Sequence, residues 1–114
     1  MNSLETSRTD MVHNLYAAYL KNRKDAVAAM LTEDFSFSSP RDDHIGKAAY
    51  FERCWPESPV FGEIDIELVV MHGEEALVRY RAEKLDGGAF RNIENIRFRD
   101  DKIAAVDVYF GRNV

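Results

Sequence analysis

Apolar residues at Val12, Leu15, Tyr16 and Tyr19 recur at helical spacing, and Met11 and Ala18 widen the stripe. This predicts an amphipathic helix from about Thr6 to Lys21 with one buried face. A shorter helix is expected from Asp25 to Leu31 through the alanine-rich AVAAM, capped by Asp25 or Asn22 and ended by Thr32-Glu33-Asp34. Phe35-Ser36-Phe37-Ser38-Ser39 then alternates aromatic and hydroxyl residues, the period of a half-buried strand, and Pro40 closes it. A third helix is predicted from about His44 to Cys54, with Asp42 or Asp43 as its cap and Pro56 and Pro59 preventing its continuation.

Beyond Pro59 the period changes from helical to two. Ile64, Ile66, Leu68 and Val70 alternate with Glu63, Asp65 and Glu67, so the first set is expected in the core and the second in solvent or an interface. His72-Gly73-Glu74-Glu75 turns the chain into a strand from Leu77 to Lys84. Asp86-Gly87-Gly88 supplies the positive φ a hairpin needs, a further strand spans Phe90 to Arg99, and Asp100-Asp101 leads into Lys102 to Phe110. Helices first and a long antiparallel meander after define an α+β architecture with the helices against one sheet face.

Length and charge narrow the classes. The 114 residues suit one domain, 1–114, with one core and at most one principal pocket. With 46% hydrophobic and 31% charged residues the balance is that of a globular protein. No run approaches a membrane span, and MNSLETSRTD lacks a basic region followed by an apolar segment, so a cytoplasmic location without membrane association is expected. A net charge of −5 argues against nucleic acid as a partner. The arginines between Arg79 and Arg99 alternate with apolar residues and have Glu63, Asp65, Glu67 and Glu83 as partners, which reads as a solvated charge ladder on a mostly charged outer face. Cys54 is the only cysteine and has no zinc-site companion, so neither a disulfide nor a metal is expected, and no cofactor motif occurs.

Strand parity locates candidate chemistry, because a polar residue on a buried face needs a partner or a function. In the strand Phe90 to Phe98 the even positions are Phe90, Asn92, Glu94, Ile96 and Phe98, opposite the arginines, so the inner face carries Asn92 and Glu94. Desolvation of a carboxyl there raises its pKa and suits it to donate a proton. Pairing of Glu94 with a buried arginine or tyrosine is the structural alternative. Phe37 and Ser39 share a face of their strand, Tyr16 and Tyr19 lie on the helical stripe, Val108 and Phe110 share a face with Val106, and Trp55 follows the third helix. With Asn92 and Ile96 they form the expected lining of a site for a small, mostly apolar ligand. Asp43 and His44 are candidate acid/base groups at its mouth, since an adjacent carboxylate raises the pKa of an imidazole.

The stretches MLTEDFSFSSPRDDHIGKAAYFERCWP and DDKIAAVDVYFGRNV resemble SnoaL-like proteins, within the superfamily that includes ketosteroid isomerase and nuclear transport factor 2. The resemblance implies a conical, curved sheet and three N-terminal helices around a pocket, the cystatin-like layout, and homodimers packed through the outer sheet face. Aligned on NIENIRF, Glu94 stands where the isomerases keep a protonated oxyanion-hole acid, and Tyr19 lies near their oxyanion-hole tyrosine. The isomerases' general-base aspartate corresponds to Ser39, and the catalytic aspartate of the polyketide cyclases falls near Val108. The expected function is therefore acid/base chemistry of isomerase, cyclase or hydratase type on a carbonyl compound, with Glu94 and Tyr19 polarising an oxygen and Asp43 or His44 as base. A noncatalytic ligand-binding or dimerisation module on the same fold is the alternative.

Overall fold

The computed structural model of the protein describes residues 3–114. Helix α1 spans Ser3–Leu20 and buries Val12, Leu15, Tyr16 and Ala18, the predicted stripe. It ends in a Schellman turn: Asn22, with φ of 56°, occupies the left-handed position, and the amides of Asn22 and Arg23 donate to the carbonyls of Tyr19 and Ala18. Asn22 thus closes α1 and does not cap the next helix. Helix α2, Lys24–Met30, starts after Arg23 with no side-chain cap, so neither Asn22 nor Asp25 serves it. Leu31 is already extended and begins strand β1, Leu31–Ser39, four residues before the aromatic alternation announces it.

The segment expected to open the third helix is a strand. Asp42–Gly46 forms β2, a hairpin on β1 in which Ile45 faces Phe37 and Gly46 faces Ser36. The Ser38 hydroxyl accepts the His44 amide, and His44 takes a φ of 51°. Helix α3 is consequently only Lys47–Cys54, with Gly46 before it and no aspartate cap. Asp42 pairs instead with Arg53 in the last turn of that helix, at 2.8 Å.

Four long strands complete the chain: β3 Phe61–His72, β4 Glu75–Lys84, β5 Ala89–Arg99 and β6 Lys102–Asn113. They join the hairpin in one curved, unclosed sheet of order β2-β1-β6-β5-β4-β3. All neighbours are antiparallel except β1 and β6, which the long stretch of chain between them, from β2 through α3 to β5, allows to run parallel. Register breaks on several strands curl the sheet, because an unpaired extra residue bends a strand and increases its twist. The helices cover the concave face. Val78, Ile96, Phe98 and Ile103 from the sheet meet Val12, Leu15 and Val27 from the helices in a core closed to solvent.

One register break reverses a sequence expectation. Ile66 faces Tyr80 but Leu68 faces Arg79, so Glu67 is the extra residue and parity inverts beyond it. Val69 and Met71 turn inward, while Leu68 and Val70, predicted for the core, stand 45% and 43% exposed. On β4, β5 and β6, Leu77, Ile93 and Tyr109 are also exposed. The convex face is therefore not mainly charged. Leu68, Arg79, Ile93 and Tyr109 lie in one row across four strands, and Val70 and Leu77 adjoin it. The charge ladder flanks this patch, with Glu67 bonded to Arg91 at 2.8 Å and Arg79 at 3.3 Å, and with Arg81 paired to Glu83 and Arg97 to Glu75.

Candidate active site

Between the concave face and the helices lies a cavity of about 430 Å³. Even-numbered residues of β4 and β5 supply its floor, because these strands pair without a register break from Glu75 to Glu83. Tyr80, Asn92 and Glu94 all point inward, and Tyr16 and Tyr19 reach the same space from the buried stripe of α1. Phe37, Tyr50, Phe61, Phe90, Val108 and Phe110 form the apolar walls, with Cys54 and Arg41 completing the lining. Phe110 is half exposed at the mouth, where the Arg41 guanidinium lies 5.7 Å from its ring centre.

Glu94 is the only carboxyl among the described lining residues, and it is 8% exposed. Tyr16 donates to its Oε1 at 2.7 Å and Tyr80 to its Oε2 at 2.9 Å. No described arginine or lysine pairs with it; its partners are phenols, so the charge of an ionised Glu94 would stand uncompensated in the cavity floor. Burial pushes the carboxyl above the ordinary glutamate range, against the pull of the two tyrosine hydrogen bonds. Burial and then the neighbouring Glu94 charge raise Tyr16, Tyr50 and Tyr80 in turn, so these phenols remain donors at any physiological pH. The Cys54 thiol is also held up by burial and by Asp42, which suits a packed side chain better than a nucleophile.

Of the residues singled out in the sequence, Tyr16, Tyr19, Phe37, Asn92, Glu94, Val108 and Phe110 come together at the cavity. Ile96 does not line it; its side chain is completely buried in the core behind. Trp55 stacks on Tyr19 at 5.2 Å and lines a separate depression beside Asn22 and Phe51. Ser39, Asp43 and His44 belong to another depression, which shares only Arg41 and Val108 with the cavity. Because Ile45 faces inward against Phe37, His44 falls on the other face, where it borders a groove with Ser38, Asn95 and Asp107. His44 Nδ1 and Asp43 Oδ1 are 2.5 Å apart and both side chains are largely exposed.

Tyr80 and Tyr50 were missed. Tyr80 carried a legible signal, since it shares parity with Val78 and Ala82 and alternates with Arg79 and Arg81. Tyr50 sits on a helix of two turns, too short for a stripe to show which face it presents. Among the described residues no group of His, Cys, Asp or Glu converges as a metal set, and no helix is long and apolar enough to cross a membrane.

The profile of the SnoaL-like domain matches residues 12–106. Among solved structures, a nuclear transport factor 2-like protein of unknown function from Cytophaga hutchinsonii superposes with a TM-score of 0.75 at 19% identity, covering 91% of this chain and 88% of its own. A candidate ketosteroid isomerase from Kribbella flavida gives 0.77 at 17% identity over 95% and 79%. A protein of ketosteroid isomerase-like fold from Catenulispora acidiphila, in complex with trimethylamine, gives 0.66 at 12% over 88% and 84%. These likenesses are of fold. No curated protein matches the sequence.

Proposed function

The chain belongs to the SnoaL-like domain family, and on that footing we propose that it binds a small, mostly apolar organic molecule and transfers a proton at an oxygen of it. The observation that carries this reading is Glu94, a carboxyl held by two phenols at the polar end of an otherwise aromatic cavity. A carboxyl whose pKa burial raises is the better placed to hold a proton, and in its protonated form it can stabilise charge developing on a carbonyl oxygen, the common element of isomerase, cyclase and hydratase steps. Tyr16 takes the place beside Glu94 that sequence reading gave to Tyr19, because it makes the hydrogen bond. Tyr19 is a wall. A base at Asp43 or His44 would act from the depression that adjoins the mouth. Neither a metal nor a cofactor enters the scheme. The complex of a structural neighbour with trimethylamine supports a ligand of this small size.

A second reading has its own observation. Asp43 and His44 are outside the cavity lining, and without a positioned general base a rate falls by about two to four orders of magnitude. The cavity then binds without catalysis. Exchange of the α-protons of a small aryl ketone in heavy water separates the two. Catalysed exchange that disappears in Glu94→Gln and in the pair Asp43→Asn with His44→Gln is the expected result. Ketone binding with exchange at the solvent rate would leave the noncatalytic reading.

We further propose a homodimer through the convex face, where Leu68, Val70, Leu77, Ile93 and Tyr109 form an exposed patch that encloses Arg79 and is rimmed by Arg81, Arg91 and Arg97. Such a rim of paired charges around an apolar centre is the usual make-up of an interface. Sedimentation should give a dimer, and Ile93→Glu with Leu77→Glu should give a folded monomer. A wild-type protein that stays monomeric at high micromolar concentration would contradict this.

A further inference from the structure

The cavity floor contains a hydrogen-bond chain whose direction is fixed at one end. The Gly111 amide can only donate, and it donates to Asn92 Oδ1 at 3.0 Å. This close approach is possible because Gly111 has no side chain; a Cβ there would lie 2.0 Å from the Arg91 carbonyl oxygen. The amide orientation of Asn92 follows, so its Nδ2 donates to the Tyr80 hydroxyl at 3.2 Å. Tyr80, already an acceptor, turns its own proton to Glu94 Oε2. When Glu94 is neutral its proton therefore sits on Oε1, whose hydrogen-bond partner among the described residues is the Tyr16 hydroxyl at 2.7 Å. Tyr16 then accepts from Glu94, and its single proton is released toward the cavity.

Building on the small-molecule reading above, we infer that Asn92 and Tyr80 are positioning residues that make Tyr16 the donor presented to the ligand, so the site selects a compound whose polar atom is a hydrogen-bond acceptor, a carbonyl oxygen in the first instance. Ionised Glu94 reverses the last link. Tyr16 then donates to Oε1 and shows the cavity only lone pairs, against which a carbonyl has nothing to bind. The groups facing Glu94 from the surrounding elements are Tyr16 and Tyr19 of α1, Tyr50 and Cys54 of α3, Tyr80 of β4 and Arg41 at the mouth. Tyr16, Tyr50, Tyr80 and the Cys54 thiol are held up, so among these groups and Glu94 the carboxyl is the one that changes state.

Acetophenone, an acceptor without a donor, is the probe, titrated by amide NMR while the Glu94 midpoint is read from its carboxyl carbon. Wild-type binding is expected to weaken about tenfold as pH rises through that midpoint, the equivalent of one hydrogen bond. Glu94→Gln should bind acetophenone with no such pH dependence, since its amide donates toward Tyr16 and its oxygen accepts from Tyr80. Tyr16→Phe should lose the pH dependence and bind about tenfold more weakly at low pH. Asn92→Leu frees Tyr80 to reverse and should reduce the pH effect to less than about threefold, with the fold checked by its amide spectrum. Equal binding above and below the midpoint overturns the inference, as does a pH dependence that survives Tyr16→Phe and vanishes only in Tyr80→Phe. Binding to no variant at any pH would overturn the small-molecule reading itself, and the polarity with it.

Discussion

Replacing Phe98 by alanine is expected to cost about 3–5 kcal/mol, a large share of the total stability of a domain this size. Phe98 is completely buried near the closed end of β5, opposite Ile103, with the Arg8 guanidinium 5.3 Å from its ring centre. Surroundings built from two strands and a helix cannot collapse into the space a ring leaves, so the cavity term adds to the transfer term. Urea denaturation should show the loss as a lowered midpoint at an unchanged slope. Leu85→Ala is the control, because Leu85 is 64% exposed and its truncation should stay within about 0.5 kcal/mol. A Phe98→Ala protein as stable as the Leu85→Ala control would mean that the core is not packed where the sheet and α1 meet.

Glu94→Leu should cost about 1–3 kcal/mol for each tyrosine hydroxyl, of Tyr16 and Tyr80, that it leaves buried without its hydrogen-bond partner. Glu94→Gln should behave differently, with a sign that depends on pH. The folded pKa of Glu94 is raised, so the unfolded chain releases the proton first. The stability contributed by the neutral carboxyl is complete below the unfolded pKa and is lost as pH rises through the folded one. Glutamine, which never ionises, is spared this loss. The difference in stability between Glu94→Gln and wild type should therefore move in favour of the variant between about pH 4 and about pH 8. Denaturation series at both pH values measure it, and a difference that moves toward wild type would mean that Glu94 is held as a stabilised anion.

The helical stripe of α1, the parity of β5 and the turns around Gly73, Gly87 and Asp100 were legible in the sequence, because each depends on a local period or on backbone conformations that particular residues favour. The inward placement of Asn92 and Glu94 came from the same period and required no knowledge of what lay opposite. Features set by pairing were not legible. The β2 hairpin depends on Ile45 meeting Phe37, the inversion at Glu67 on how β3 registers against β4, and the parallel contact of β1 with β6 joins residues far apart in the chain. A bulge reverses every side chain beyond it, so one unpaired residue moved Leu68 and Val70 from the expected core to the convex face. The partners of the carboxyl likewise belong to the tertiary structure. Residue types and local periods determined an α+β domain with a polar group on its inner face; only folding decided that two phenols from α1 and β4 would meet Glu94 while Asp43 and His44 were carried outside, because those positions follow from long-range register and packing.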